Sequence, residues 1–306
     1  MTAEQIKKIA GAVIVFLLIM SSSLYFLMEV RNGIHQEQQK EAYDLAKSYT
    51  EIIEAETLKA GKEAAAFAGN AQFKGTPSKW FPKEAQAMMD EHPAIVGMEL
   101  AQFGKKEIIT SYPENFSVAK EAGIVEVCKN IKENTNDGDS EPRMVAPVEL
   151  ADGSTGAVCV VPIFLFNAKD VKFNQWGSLT VVYKLPDLIS EANITSIPEK
   201  NYIYRLYGNN PLLTDDGEIL TSVAEMPAET ESSSAIVPQG LWLLKVAPDG
   251  GFGYGIPTVG AVVISAVLGI LGGVAVIKVT GKKKNSYIKI KRDYYALRVK
   301  FCSDSD

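Results

Sequence analysis

The chain contains only two histidines, His35 and His92. His35 follows an apolar run, and His92 precedes the first predicted strand. Catalytic zinc sites use three protein ligands, most often histidines with cysteine or carboxylate side chains. A histidine-rich metal centre is therefore excluded, any metal site would have to be built from carboxylates, and we expect neither a metal nor another cofactor.

Two glycine-containing motifs have the wrong context for catalysis. GSTG at residues 153–156 lacks the G-x-S-x-G spacing of a hydrolase nucleophile elbow and is typical of a turn between strands. GFGYG at residues 251–255 lacks the preceding strand and following soluble helix of a dinucleotide site, so we interpret it as a flexible joint. We expect the protein not to be an enzyme.

Two charged residues stand in predicted strands. Glu99 interrupts one apolar strand and Arg143 begins another. A charge on a half-buried sheet must reach solvent or find a partner. Glu99 and Arg143 therefore either pair with each other, or one of them contacts a polar group of a ligand.

A third strand combines an aromatic ring with hydroxyls. Trp176, Ser178 and Thr180 share one face if the side chains alternate with a period of two. This combination suits ordinary packing as well as the lining of a pocket. Tyr112, just after the second predicted strand, is a further candidate for a ligand contact.

Three cysteines are too few for a disulfide scaffold. Cys128 and Cys159 lie between the two apolar runs described next, and Cys302 lies after the second. Cys128 and Cys159 are compatible with a disulfide and also with two buried thiols that pack as small apolar residues.

Two uncharged apolar runs divide the chain, at residues 9–28 and 256–277. Each is about as long as the roughly 20 residues that a helix needs to cross hydrocarbon. Lysines precede the first run and a basic cluster follows the second, so the positive-inside tendency predicts cytoplasmic segments at 1–8 and 278–306. We expect a two-pass protein of the cell membrane with an extracytoplasmic centre. A cleaved signal peptide is the alternative for the first run, although that run is long and lacks a clear cleavage site.

The net charge is unevenly distributed. The chain carries −6, of which residues 1–8 contribute +1 and residues 278–306 contribute +6, so the stretch between them carries −13. An acidic outer domain argues against a nucleic-acid partner. The basic tail fits contact with anionic membrane lipid.

A long helix is predicted from about residue 37 to residue 68. Ala46, Tyr49, Ile53, Ala60 and Ala64 recur mostly on one side, and no proline interrupts until residue 77. We assign residues 29–92 to an extracytoplasmic helical stalk. Such a helix either transmits displacement or packs along the flank of the domain, and the two roles are compatible.

Two groups of strands follow the stalk and predict an α+β fold. Strands are expected at 94–100, 107–111, 143–148, 156–163 and 177–183, with a helix at 118–133, and together they form a membrane-distal lobe over residues 93–194. After a loop-like break at 193–200, strands at 202–207 and 241–246, a polar turn at 208–218 and a Ser/Glu-rich loop at 228–234 form a membrane-proximal lobe over residues 195–255.

Several segments resemble the CHASE domain, an extracytoplasmic sensor of histidine kinases and diguanylate cyclases. They are IVGMELAQFGKKEIITSYPEN, MVAPVELADGSTGAVCVVPIF, FNQWGSLTVVYKLPDLISEANI, NYIYRLYG and WLLKVAPDGGF, and they cover most of residues 93–252. The resemblance implies a long helix leading into two PAS-like lobes, with a small ligand in the membrane-distal lobe, as in the plant cytokinin receptors. It places Met144, Ala146 and Val160 on strands that flank the ligand.

Receptors of this family continue into a kinase or cyclase domain, whereas residues 278–306 are all that follow the second apolar run here. We therefore expect the output to come from a separate histidine kinase or diguanylate cyclase, or the sequence to be a shortened form. A membrane-anchored envelope protein that binds a partner protein, without sensing a small ligand, is the alternative function.

A homodimer is expected through the second span and the tail. Ala261, Ser265, Gly269 and Gly273 recur every four residues, a small-residue stripe that lets another backbone approach closely. In the tail, apolar residues alternate by three and four from Tyr287 to Phe301. That spacing suits a short coiled coil and also a basic amphipathic helix lying on the inner leaflet.

Overall fold

The computed structural model describes most of the chain. The described residues are 3–70, 74, 76–102, 108–121, 141–167, 172–209, 217–253, 260, 263–272, 274, 275 and 278. They form two compact units, one of residues 38–252 and one that combines residues 1–37 with residues 253–306.

The long helix α1, Ala3–Gly69, contributes to both units. Its predicted part from residue 37 to residue 68 is confirmed. Ala42, Ala46, Ile53 and Ala64 are fully buried along one side, and these mostly small side chains let the helix backbone approach the rest of the unit closely. After a short connection, α2 spans Pro77–Glu91, with proline in the first turn, where the missing N–H costs nothing.

Five antiparallel strands form the first sheet. They are β1 (Ile95–Gln102), β2 (Ile108–Tyr112), β3 (Arg143–Glu149), β4 (Thr155–Asn167) and β5 (Lys172–Lys184), in the order β2-β1-β5-β4-β3. All five predicted strands are confirmed, and β4 and β5 are longer than predicted. Of the helix predicted at 118–133, the structure describes only α3, Val118–Glu121, and the rest of that prediction lies outside the described residues.

The segment between the two sheets is helical, contrary to the predicted loop. Two 3-10 helices span Asp187–Ala192 and Ile194–Lys200. Ile194 and Ile197 are almost completely buried. Burial of these apolar side chains stabilises helical structure in a segment whose composition alone predicted a loop between the two lobes.

Four antiparallel strands form the second sheet. They are β6 (Tyr202–Tyr207), β7 (Glu218–Thr221), β8 (Glu231–Val237) and β9 (Gly240–Pro248), in the order β7-β6-β9-β8. The prediction of a Ser/Glu-rich loop at 228–234 is wrong, because most of this segment belongs to β8. Pairing of β8 with β9 outweighs the low strand propensity of its serines.

A shared apolar core joins α1, α2 and both sheets. Ile53 of α1, Leu179 of β5 and Trp242 of β9 are fully buried members of this large cluster. A smaller cluster, which includes Val118, Val158 and Val182, covers the opposite face of the five-stranded sheet. The α+β class is therefore confirmed, whereas the exact lobe boundaries remain predictions.

The other compact unit contains the apolar segments. Within the described residues, the one helix that is long and apolar enough to cross a membrane begins at Ile9 in α1, and Val263–Gly272 is a shorter apolar helix. Leu18, Phe26 and Leu271 are each more than 60% exposed, as lipid-facing side chains would be. The predicted span at 256–277 is only partly described, so the two-pass topology remains a prediction.

Gly269, a described member of the small-residue stripe in the second apolar segment, faces α1 of the same chain. A Cβ atom at Gly269 would lie 2.8 Å from the Phe16 ring, and one at Gly272, next to the stripe, would collide with Ile19. Ser265 is 1% exposed. A homodimer contact through this face would have to replace packing within the chain, and the predicted coiled coil in the tail lies outside the described residues.

Candidate functional site

Four side chains from four neighbouring strands form a row on one face of the five-stranded sheet. In register, Glu99 pairs with Thr180, Thr180 with Val160, and Val160 with Arg143. Residues directly opposite each other on paired strands share a face. We call Glu99, Thr180, Val160 and Arg143 the polar row.

The polar row lies on the face of the smaller apolar cluster, to which Val160 belongs. Ser178, two residues before Thr180 on β5, shares this face by alternation. Ser178 and Thr180 are 7% and 5% exposed, respectively. The structure thus brings together four of the eight predicted ligand residues, namely Glu99, Arg143, Val160 and Ser178.

Glu99 holds the beginning of the short helix α3. Its Oε2 accepts a hydrogen bond from the backbone N–H of Val118 at 2.9 Å. Burial raises the pKa of the Glu99 carboxyl above its ordinary value, and the Val118 hydrogen bond offsets part of this rise. Glu99 and Arg143 occupy the two ends of the polar row, three strand spacings or about 14 Å apart along the sheet. The alternative that their side chains pair with each other stays a prediction.

The other four predicted ligand residues belong to the larger core. Met144 and Ala146 are fully buried in it, and Tyr112 and Trp176 pack against it. The prediction that Trp176 shares a face with Ser178 is wrong. Ile163 and Phe164 of β4 pair with Gly177 and Gln175, so Trp176 is an extra, bulged residue of β5 that breaks the period of two.

Met144 instead connects the two sheets through its backbone. Its N–H donates to the Pro238 carbonyl at 2.9 Å, and its carbonyl accepts from Asn209 Nδ2 at 3.1 Å. Asn209 Oδ1 in turn accepts from Nε1 of the fully buried Trp242 at 3.1 Å. Every polar group named here has a partner, so the network is expected to hold the edge strand β3 firmly against the four-stranded sheet. Asn209 carries no sequence signal for this role.

Cys159 is a free thiol that is buried completely. Burial raises its pKa to about 12, so the reactive thiolate is strongly disfavoured. Cys128 lies outside the described residues, and the disulfide hypothesis has not been tested.

A cleft of about 620 Å³ opens on the same compact unit and contains none of the eight predicted residues. We call it the acidic cleft, after the five Asp and Glu side chains among the residues that line it. Sequence patterns did not indicate it, because its walls come from three segments that are distant along the chain.

No family model matches the chain, and no curated protein does. Among solved structures, the chain is similar to an extracellular ligand-binding receptor from Desulfohalobium retbaense, with 12% identity and a TM-score of 0.47 over 66% of this chain and 39% of that one. It is also similar to the ligand-binding domain of a Pseudomonas aeruginosa amino acid chemoreceptor in complex with GABA, with 12% identity and a TM-score of 0.48 over 68% of this chain and 98% of that one.

A further similar structure is the sensory domain of a Campylobacter jejuni chemoreceptor with isoleucine bound, with 9% identity and a TM-score of 0.47 over 72% of this chain and 96% of that one. All three TM-scores are below 0.5. These likenesses establish neither the family of this chain nor its ligand.

Proposed function

We propose that this protein is a membrane receptor, not an enzyme, whose extracytoplasmic CHASE-like domain binds a small ligand on the polar-row face of the five-stranded sheet. The observation that carries the proposal is the polar row itself, four residues in register on a largely buried face. A separate histidine kinase or diguanylate cyclase would provide the output.

The chemistry of this face supports a ligand site. Burying hydroxyl and charged groups costs free energy unless they find partners, and a polar ligand would supply further partners on this face. Here Glu99 offers an acceptor, Arg143 offers donors, and Val160 between them offers an apolar contact. A few polar groups placed among apolar side chains are typical of small-molecule sites.

The route by which the signal leaves this face follows from β3. Arg143 lies in the polar row, and the next residue, Met144, is hydrogen-bonded through both backbone groups to Pro238 and Asn209. A ligand that shifts β3 would therefore shift the four-stranded sheet with it. The extent of the shift is limited by the difference in ligand affinity between the two arrangements.

A thermal-shift screen of the full chain in lipid nanodiscs tests the proposal. The library includes adenine derivatives and amino acids, and at a concentration of 100 Kd a true ligand stabilises the protein by about 2.7 kcal/mol. We expect the stabilisation by the best compound to be lost in the double variant Glu99→Gln, Arg143→Ala and kept in the exposed control Glu114→Gln. Silence across the library would contradict the proposal and favour the partner-binding envelope protein, as would a hit that is unaffected by the double variant.

A further inference from the structure

The acidic cleft has three walls. Glu56, Lys59 and Glu63 project from one side of α1, Glu91 and His92 come from the end of α2, and the 3-10 helix that begins at Asp187 closes the third side. Its volume of about 620 Å³ lies within the roughly 300–1,000 Å³ of small-molecule sites. The cleft is therefore large enough for a small organic molecule.

The inner surface of the cleft is apolar. Ala60, Tyr183 and Leu188 line it and are between 2% and 8% exposed. The Tyr183 hydroxyl donates to the Ala60 carbonyl over a long distance of 3.4 Å. A short hydrocarbon body would contact this surface without leaving a strong hydrogen bond broken.

Two of the five carboxylates already have partners. Glu56 accepts backbone hydrogen bonds from Glu191 at 3.0 Å and from Ala192 at 3.3 Å. Glu63 Oε2 lies 3.2 Å from His92 Nε2. These contacts hold the walls of the cleft in place and leave the other acidic groups to face solvent.

The remaining three carboxylates are Glu91, Asp187 and Glu191, all exposed along the cleft. Within the described part of the chain, their side chains accept no hydrogen bond and form no ion pair within 4.0 Å. Asp187 interacts with Lys184 electrostatically without such a pair. Lys59 is the one lysine of the lining. Burial raises the pKa of the Glu56 carboxyl, and the backbone hydrogen bonds from Glu191 and Ala192 offset part of this rise. The Glu191 carboxylate raises the Glu56 pKa further and Lys59 lowers it, so both charges act inside the cleft.

The spacing of the carboxylates favours an organic cation over a metal ion. Among the described residues, no group of three or more His, Cys, Asp or Glu side chains is arranged to hold a metal. The free carboxylates come from the end of α2 and from both ends of one 3-10 helix, so they are distributed along the cleft. A molecule with ammonium or guanidinium groups at the two ends of a short chain could place each cation beside a different carboxylate.

We propose that the acidic cleft binds a small organic cation that carries ammonium or guanidinium groups on a short apolar body. Bound there, the cation would connect α1 to the residues that lead into β1 and out of β5. This site is separate from the polar row, so the proposal does not depend on ligand sensing at that row.

Isothermal titration calorimetry on the full chain in nanodiscs tests this proposal with 1,4-diaminobutane and agmatine as probes. Uncharged 1,4-butanediol and anionic succinate serve as negative probes. We expect saturable binding of one molecule of either cation, weaker at higher salt, and no binding of the negative probes.

Two triple variants with the same change in charge locate the site. Glu91→Gln, Asp187→Asn, Glu191→Gln removes the free carboxylates, and we expect it to weaken cation binding by about threefold to a hundredfold, since each exposed charge pair contributes about 1.4- to 5-fold. Glu114→Gln, Glu199→Gln, Glu225→Gln removes three exposed carboxylates elsewhere, and binding should stay unchanged.

Absence of saturable binding would overturn the proposal, and so would an equal loss in both triple variants, which would indicate a diffuse effect of net charge. The outcome is independent of the ligand screen. If the cations bind and only the cleft variant loses this binding, the cleft proposal holds even when no compound in the thermal-shift screen stabilises the protein. If the cations fail to bind while the screen yields a compound sensitive to Glu99 and Arg143, only the cleft proposal fails.

Discussion

Glu99 combines a structural hydrogen bond with a shifted ionisation equilibrium. Its carboxylate anchors the backbone of Val118 at 2.9 Å, and this contact places α3 beside the polar row. The same residue is sufficiently buried that ionisation is disfavoured, so its pKa is raised from 4.5. The pKa of a buried carboxyl depends more strongly on neighbouring groups than the pKa of an exposed carboxyl does.

The raised pKa of Glu99 predicts a dependence of stability on pH. The folded state binds the Glu99 proton more tightly than the unfolded state does, so its contribution to stability is complete below about pH 4.5 and is lost as the pH rises through the folded-state pKa. Glutamine does not titrate, and its Oε1 can still accept from Val118. We expect Glu99→Gln to become progressively more stable than the wild type as the pH rises from 4 to 7.

The measurement is the difference in melting temperature between variant and wild type at each pH. The exposed Glu114→Gln variant carries the same charge change without the burial and serves as the control. A Glu99→Gln difference that stays constant or shrinks with increasing pH would contradict the assignment.

At the scale of the elements, the connection between the two sheets depends on Asn209. Its side chain accepts from Trp242 Nε1 and donates to the Met144 carbonyl. Gly208 beside it lies so close to β3 that a Cβ atom would collide with the Ala146 oxygen. The two sheets therefore meet at backbone distance, with little space for substitution.

Replacing Asn209 by alanine removes both hydrogen bonds and leaves the indole N–H and the Met144 carbonyl without these partners. An unpaired buried polar group costs about 1–3 kcal/mol, so we expect a loss of about 2 kcal/mol or more. For a unit of this size that corresponds to a melting temperature lower by about 4 °C or more.

Thermal unfolding followed by circular dichroism measures the effect. The exposed Asn174 on β5 provides a matched control, since Asn174→Ala should change stability by no more than about 0.5 kcal/mol. Equal stability of the two variants would show that the Asn209 network does not hold the sheets together.

Much of the fold was predictable because local patterns determine it. Strand β6 has the predicted bounds, and the small buried residues of α1 recur at the expected helical spacing. Strand β8 was not predictable, since its serines owe their conformation to pairing with β9. Both 3-10 helices depend in the same way on the burial of isoleucines by distant elements.

The candidate site was predictable only in part, for related reasons. Glu99 and Arg143 stood out as charges in apolar strands, and registration across four strands brings them into one row with Thr180 and Val160. The bulge that turns Trp176 away from this row depends on the register between two strands. The acidic cleft is assembled from segments that lie up to 139 positions apart, from Ile52 to Glu191.

At the scale of the whole molecule, α1 is the common element. Its first part contains the apolar segment that begins at Ile9, and its second part belongs to the core that both sheets share. Hydrogen bonds from the Ile236 N–H to the Glu54 carboxylate and from the Tyr202 hydroxyl to the Glu41 carboxylate fix α1 to the four-stranded sheet. If α1 crosses the membrane, a displacement of either sheet acts directly on a membrane helix.

The claim on which the proposed receptor function depends is that residues 38–252 lie on the extracytoplasmic side of the membrane, and site-specific cysteine labelling tests it directly. In a background of Cys128→Ser, Cys159→Ala and Cys302→Ser, a single cysteine is introduced at the exposed residue 225 by Glu225→Cys or at the C-terminus by Asp306→Cys.

Right-side-out membrane vesicles are then treated with a membrane-impermeant maleimide. If residues 38–252 are extracytoplasmic and the tail is cytoplasmic, we expect Glu225→Cys to be labelled in the sealed vesicles and Asp306→Cys to be labelled only after detergent opens them. Labelling of Glu225→Cys only after detergent would place the two sheets in the cytoplasm and contradict the account.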